Sequence, residues 1–216
     1  MQTSKKEYRK FLNDNFKGLR LRKPLFYSWN IGLRFDLQVG STNTEEYFQE
    51  VTRRASIIFK SLFDSSDEVF IVLMDYKYKR RKIRFLNYVF YQIANLQKDC
   101  VRYLIEKRIY EPNDKFDRRI VAVTKVLAEK INYKNILTAI GHTNFPPREP
   151  RLDRNGVLTD KEVYFINSSK RLIFHMYDDR GLDIIATDKE TIRPIYENYN
   201  SWLLDYDRER IDKQFN

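Results

Sequence analysis

The sequence predicts an α+β fold: a mainly antiparallel sheet of about seven strands with helices packed on it. Three stretches carry that expectation. Residues 161–187, KEVYFINSSKRLIFHMYDDRGLDIIAT, contain three apolar runs (163–167, 172–177 and 182–187) of strand length, rich in Val, Ile, Phe and Tyr. The breaks between them, Ser168-Ser169-Lys170 and Asp178-Asp179-Arg180-Gly181, leave room only for hairpins, so the runs form a three-stranded meander followed by a helix. Upstream, Ile31, Leu33, Phe35, Leu37 and Val39 alternate with Gly32, Arg34, Asp36 and Gln38, the period of two that a half-buried strand requires. Tyr47, Phe48, Val51, Ala55, Ile58, Phe59, Leu62 and Phe63 recur instead at helical spacing behind Thr44, a capping residue.

The other elements follow in order. Tyr8, Phe11, Leu12 and Phe16 mark a helix over 4–16 that Gly18 stops. Residues 18–24, GLRLRKP, are basic and end in a proline that disfavours helix. Residues 69–74 are apolar enough for a central strand. Residues 77–84, KYKRRKIR, are almost entirely basic, and Leu86, Val89, Phe90, Ile93 and Leu96 then mark a third long helix. Residues 100–110 and 116–127 read as two long strands joined by the turn Glu111-Pro112-Asn113-Asp114. In the second, apolar residues fall on both faces, so both can be covered. Asn132 is placed to cap a short helix to Ile140, with Gly141 as its stop. Residues 142–156 are proline-rich and form a loop. The chain reads as a single domain, 1–216; if it subdivides, this loop joins an N-terminal part, 1–141, to the meander and helix of 157–216. After the meander, Ile192, Ile195, Tyr196, Tyr199, Trp202 and Leu203 mark a helix starting near Thr191, which leaves Pro194 in the first turn. Tyr206, Ile211 and Phe215 anchor a last short helix.

Apolar residues make up 42% of the 216, and Phe and Tyr number 15 each, enough to build a buried core rather than a disordered chain. Cys100, the sole cysteine, has no partner for an internal disulfide. No charged-then-apolar leader and no apolar run of about 18 residues occurs, so a soluble cytoplasmic protein with no membrane partner is expected. The net charge of +10 is uneven: 19 basic against 10 acidic residues over 1–98, 13 against 9 over 99–161, and 8 against 11 over 162–216. A basic first half permits contact with nucleic acid or with an acidic protein.

Motifs for cofactor chemistry are missing. There is no glycine-rich phosphate loop and no nucleophile elbow, and no cofactor is expected. His175 lies mid-strand between Phe174 and Met176, on the face opposite both; it is a candidate general base, although a hydrogen-bonded structural histidine is the simpler account. His142 follows a helix-ending glycine, where a capping role suffices. Asp178, Asp179 and Asp183 lie close in sequence with Arg180 among them, and clustered carboxylates can hold a divalent cation. The same Asp-Asp-x-Gly string is also what a tight hairpin needs, and Arg180 can neutralise a neighbouring Asp; no metal is expected. Lys79, Arg80, Arg81, Lys82 and Arg84, interleaved with Tyr76, Tyr78 and Phe85, suit a single-stranded nucleic acid, where bases stack and phosphates are neutralised. A solvated loop has the same composition.

Beyond Val163 the chain carries Tyr164-Phe165-Ile166-Asn167, Ile173-Phe174-His175-Met176-Tyr177-Asp178-Asp179-Arg180-Gly181, Asp183-Ile184-Ile185-Ala186 and Asp188-Lys189-Glu190-Thr191. These are followed by Arg193-Pro194, Tyr196, Tyr199-Asn200, Trp202 and Leu204-Asp205-Tyr206-Asp207-Arg208. In these residues the chain resembles a family of uncharacterised bacterial domains of unknown function, found mainly in bacilli and their relatives. Upstream, Arg34-Phe35 and residues 138–145 belong to the same resemblance. It implies a fold unit and a bacterial source, and transfers no catalytic residue. The leading functional expectation is therefore a non-enzymatic protein that binds a macromolecular partner, in the manner of an immunity protein or antitoxin. The alternatives are a nucleic-acid binder using 77–84 with 20–23, and a metal-dependent hydrolase or nuclease built on Asp178, Asp179 and Asp183 with His175.

Overall fold

The alternating and apolar runs become seven strands of one sheet: β1 (Gly32–Asp36), β2 (Glu68–Tyr76), β3 (Arg102–Lys107), β4 (Arg118–Leu127), β5 (Glu162–Asn167), β6 (Leu172–Met176) and β7 (Gly181–Ala186). In this computed structural model, residues 5–42, 44–77, 82–146, 148–153 and 161–215 are described. The spatial order is β1-β7-β6-β5-β2-β4-β3, and every neighbouring pair is antiparallel. Strands from both sides of the 142–156 loop thus alternate in one sheet. The helices are α1 (Lys5–Phe16), α2 (Glu45–Leu62), α3 (Tyr88–Tyr91), α4 (Tyr133–Gly141), α5 (Lys189–Asn198) and α6 (Arg208–Phe215), which makes the fold α+β. Among the described residues no helix is long and apolar enough to cross a membrane.

Both faces of the sheet are buried, for different reasons. On one, Leu73, Ala122, Phe165, Phe174 and Ile184 meet the apolar stripes of α2, α4 and α5. We call this the helix face. On the other, Tyr8, Leu12 and Phe16 of α1 and Leu21 and Leu25 of an irregular strap, residues 17–29, pack on Val72, Val121, Ile166, Ile173 and Ile185. This is the strap face. Strand β4 contributes to both, as its two-sided apolar pattern requires.

Four local expectations are corrected. The long helix over 86–96 is the single turn α3: the chain then leaves helix to make backbone bonds elsewhere, Ala94 N–H to Lys130 C=O (2.8 Å) and Asn132 N–H to Gln92 C=O (2.8 Å), with Asn95 at φ +56°. Tertiary pairing outweighs the helical pattern: Val89, Phe90 and Ile93 are buried without a continuous helix, and Leu86 is exposed. Asn132 precedes α4 but its side chain makes no capping bond, and Gly141 is the helix's last residue, not its stop. His142 follows in the C-cap position and its Nδ1 bonds Pro150 C=O (3.1 Å). Finally, α5 starts at Lys189, because the Asp188 carboxylate accepts from Glu190 N–H and begins the helix ahead of Thr191. It ends at Asn198, before a separate 3-10 turn at Asn200–Trp202.

Candidate functional site

The strap face holds a polar row that crosses the sheet. Register sets Arg34 of β1 opposite Asp183 of β7, and Asp183 opposite His175 of β6. The His175 imidazole stacks on the Tyr164 ring of β5, with centroids 4.0 Å apart. At the β1 end, the Arg34 guanidinium lies 3.4 Å from Asp183 and 3.3 Å from Asp207, and the Tyr27 hydroxyl donates to Asp207 (2.8 Å). At the β5 end, the hydroxyls of Tyr164 and Tyr110 both donate to the Glu162 carboxylate, and Lys23 N–H donates to the Tyr110 oxygen (2.9 Å). The strap closes over the middle, where Phe26 N–H donates to Asp183 (3.0 Å). Tyr177 reaches across Gly181: a Cβ there would lie 2.2 Å from the Tyr177 oxygen and 2.5 Å from Phe35 C=O, so only glycine fits.

Burial dominates the electrostatics. His175 is fully buried, which pushes its pKa down to about 4. Its Nδ1 lies 3.0 Å from Val163 C=O, so that nitrogen carries the proton and Nε2 keeps a lone pair with no partner among the described residues. Asp183 is pushed up to about 6 by burial, even beside Arg34. One guanidinium shared with Asp207 offsets less than the loss of water costs. Burial by itself would lower the Arg34 pKa, but Asp183 and Tyr177 hold it above its usual value. Burial also raises Tyr177, to about 12.

The candidate residues from the sequence fall into three groups. His175 and Asp183 belong to the sealed row. Asp178, Asp179 and Arg180 form the β6–β7 hairpin instead: Asp178 accepts from Arg180 N–H (2.8 Å) and from its guanidinium Nε (2.9 Å), while Asp179 accepts from the Tyr47 hydroxyl (2.6 Å). Burial raises the Asp179 pKa. Arg180 therefore closes on Asp178 and does not pair with His175. Among the described residues no three His, Cys, Asp or Glu side chains converge as a metal-ligating group; Asp178, Asp179 and Asp183 are engaged separately, by Arg180, Tyr47 and Phe26 N–H. Of the basic run, Lys82 and Arg84 are exposed on either side of buried Ile83, and Lys79, Arg80 and Arg81 lie outside the described residues.

The fold gathers a different basic site. The strap brings Arg20, Arg22 and Lys23 to the end of the sheet where β3 finishes and β4 begins. Arg20 donates to the carbonyls of Lys107 and Arg108 (3.1 Å to the latter). A cleft of about 480 Å³ opens there, lined by Leu19, Arg20, Arg22, Tyr27, Arg108 and Pro112 among others, with no carboxylate. Lys23, Lys107, Lys115 and Arg118, close in sequence to the lining residues and the β3–β4 turn, are exposed, and Arg119 lies over the Tyr110 ring at 4.7 Å. Arg22 and Arg108 have no acidic partner among the described residues. The sequence reading missed Lys107, Arg108, Arg118 and Arg119 because it took 100–127 only as strands. The available signal was basic pairs on both sides of the turn at 111–114.

The domain of unknown function DUF3885 matches residues 8–207, which takes in most of α1, the strap, the whole sheet and the segment up to Asp207. The chain belongs to the DUF3885 family. The chain is 27% identical over 208 residues to the uncharacterized protein YnaE of Bacillus subtilis (strain 168), covering 91% of this chain and 96% of that one. No solved structure matches. The bacterial relative agrees with the resemblance noted in the C-terminal residues, and DUF3885 extends it over both the polar row and the basic cleft.

Proposed function

We propose that the chain is a non-enzymatic binding protein whose partner is a single-stranded nucleic acid, held at the basic cleft between the strap and the β3–β4 turn. The observation that carries this reading is the cleft's lining: three arginines, an aromatic ring and no carboxylate. Arg22 and Arg108 supply charge for phosphates, Arg20 is pinned by backbone carbonyls, and Tyr27, 42% exposed, offers a ring for stacking. The polar row speaks for a structural role, because it is sealed beneath the strap, where His175 and Asp183 are buried away from any substrate.

Fluorescence anisotropy with labelled single-stranded DNA, RNA and duplex DNA over a salt series tests it. Affinity for the single strands falls steeply with salt, and Arg22→Ala with Arg108→Gln lowers the log–log slope by about 2. The double variant melts with the wild type, since both side chains are exposed. Absence of binding at low salt, or binding that the double variant leaves intact, rejects the reading.

An acidic protein partner, as for an immunity protein or antitoxin, is the second reading. Tyr206 is 87% exposed beside Tyr27, whose ring lies 5.3 Å from both Arg34 and Arg210. Tyrosine and arginine are the residues that anchor protein interfaces. A protein partner lost in Tyr206→Ser but retained in the Arg22/Arg108 variant supports this reading over the first.

A further inference from the structure

The two edges of the sheet are finished differently. At β1 the chain seals its own edge. Gly32 N–H donates to the Gln214 side chain (2.8 Å), Arg34 C=O accepts from Leu204 N–H (2.9 Å), and Phe35 bridges to Leu203. At β3 nothing comparable is present among the described residues, and an open edge is a template for another strand.

Hydrogen-bond parity says which groups that edge offers. Lys77 N–H donates to Arg118 C=O (2.8 Å) and Arg108 N–H to Asp117 C=O (2.7 Å), so Arg118 faces β2 while Asp117 and Arg119 face β3. Glu106 is opposite Arg119. The backbone groups of Arg102, Leu104 and Glu106 therefore point at β4, and those of Tyr103, Ile105 and Lys107 point outward. The Arg20 guanidinium takes the Lys107 carbonyl. The N–H and C=O of Tyr103 and Ile105 remain, without a partner among the described residues.

We propose that a second copy of the chain pairs with this edge, β3 against β3, antiparallel and centred on Leu104. The segment Arg102-Tyr103-Leu104-Ile105-Glu106 is self-complementary about its midpoint. Tyr103 then stands opposite Ile105 of the second copy, as a narrow pair that exchanges two backbone bonds, and the twofold axis repeats it. All four open groups on each copy are satisfied. On the helix face, two aromatic-on-β-branched pairs cover Tyr103 and Ile105, now 43% and 47% exposed. On the strap face, Arg102 stands opposite Glu106 of the second copy, twice.

Other registers do worse. A shift by one residue sets outward groups against inward ones and makes no ladder. Centring on Ile105 puts Arg102 against Arg108, and centring on Tyr103 loses both ion pairs. The antiparallel arrangement also sends the two basic ends to opposite extremes of the joined sheet, which limits repulsion between chains of net charge +10. The pairing does not depend on the nucleic-acid reading.

Sedimentation equilibrium over a concentration series tests it, with the full chain and three variants. Wild type sediments at twice the mass of one chain. Ile105→Pro becomes monomeric with its thermal melt preserved, because that N–H points outward and proline is tolerated on such an edge. Arg102→Glu alone and Glu106→Arg alone are each monomeric, since like charges face each other across the axis. Mixed in equal amounts, these two recover a heterodimer in which both pairs are again unlike. A wild type that stays monomeric overturns the proposal. So does a dimer that survives Ile105→Pro, or a mixture that associates no better than its components.

Discussion

On the helix face, Phe59 stacks on Phe63 and Tyr133 and meets Phe165 and Phe174 edge-on. On the opposite side of the same strands, adjacent positions hold Arg34, Asp183, His175 and Tyr164. Each apolar contact on the helix face is weak, non-directional and replaceable, so a lost methylene is partly recovered by collapse. The strap face works through directional charges and hydrogen bonds in a shared network, with Arg34 between Asp183 and Asp207 and Glu162 between Tyr110 and Tyr164. It ties the strap to β1, β5 and β7 at fixed positions, and it cannot relax around a missing member. The apolar face supplies the larger area, and the polar face makes the fold intolerant of change along one row.

The largest expected effect breaks that contrast open. Arg34→Met removes the cation between Asp183 and Asp207 and leaves two buried carboxylates, which costs about 3–5 kcal/mol. Phe174→Leu, a comparable change on the helix face, costs about 1 kcal/mol because the cavity is small and apolar neighbours can move into it. Adding Asp183→Asn to Arg34→Met restores part of the loss by removing one of the two charges left without a counterion, the more deeply buried of the pair. Urea unfolding of the four proteins measures all three differences. Equal costs for the two single variants defeat the comparison.

Acidification sharpens it at about 3 kcal/mol. Burial raises Asp183 from its usual 3.8 to about 6, and lowers His175 from its usual 6.5 to about 4. Each shift corresponds to about 3 kcal/mol. The folded chain keeps His175 neutral, so that contribution is complete above pH 6.5 and is lost as pH falls towards 4. It also holds the proton on Asp183, so that contribution is complete below pH 3.8 and is lost as pH rises towards 6. The two oppose each other across the same window, so their contributions largely cancel in the wild type. In His175→Gln the Asp183 effect stands alone and the protein gains about 3 kcal/mol between pH 6.5 and 4 relative to wild type. In Asp183→Asn the His175 effect stands alone and it loses about as much. Urea unfolding at intervals across that range reads both, and variants that both track the wild type refute the opposition.

The two faces were also unequally legible. Strand periodicity placed β1, β2, β4 and the meander, because burial on one or both faces leaves a pattern in the order of residues. It set His175 opposite Phe174 and Met176 but said nothing of what lay above it, since Arg34, Asp207 and Tyr27 reach the row from distant parts of the chain. The basic cleft was hidden for the same reason: Arg20 and Arg108 meet only once the strap crosses the sheet. The pattern misled at 86–96, where helical spacing was real but bonds to Lys130 and Asn132 prevailed. The Asp178–Gly181 string, by contrast, was readable as turn chemistry, because a hairpin is settled by residues next to one another.

The smallest effect concerns how the helix face is held in place. Thr44 accepts from Tyr47 N–H (3.1 Å) at the start of α2, whereas Asn132, in the equivalent position before α4, makes no side-chain bond. Thr44→Ala therefore costs about 1 kcal/mol, and Asn132→Ala only a few tenths of that. The difference bears on the faces because α2 carries Phe59 and the longest apolar stripe over the sheet, so fraying its first turn loosens Tyr47 and, through its hydroxyl, Asp179 at the β6–β7 hairpin. Native-state hydrogen exchange separates the two sides. Thr44→Ala speeds exchange in the first turn of α2 and at the hairpin, while amides of β5 and β6 behind the polar row keep wild-type protection relative to global stability. Faster exchange along the polar row in that variant would mean that the two faces are not independently held.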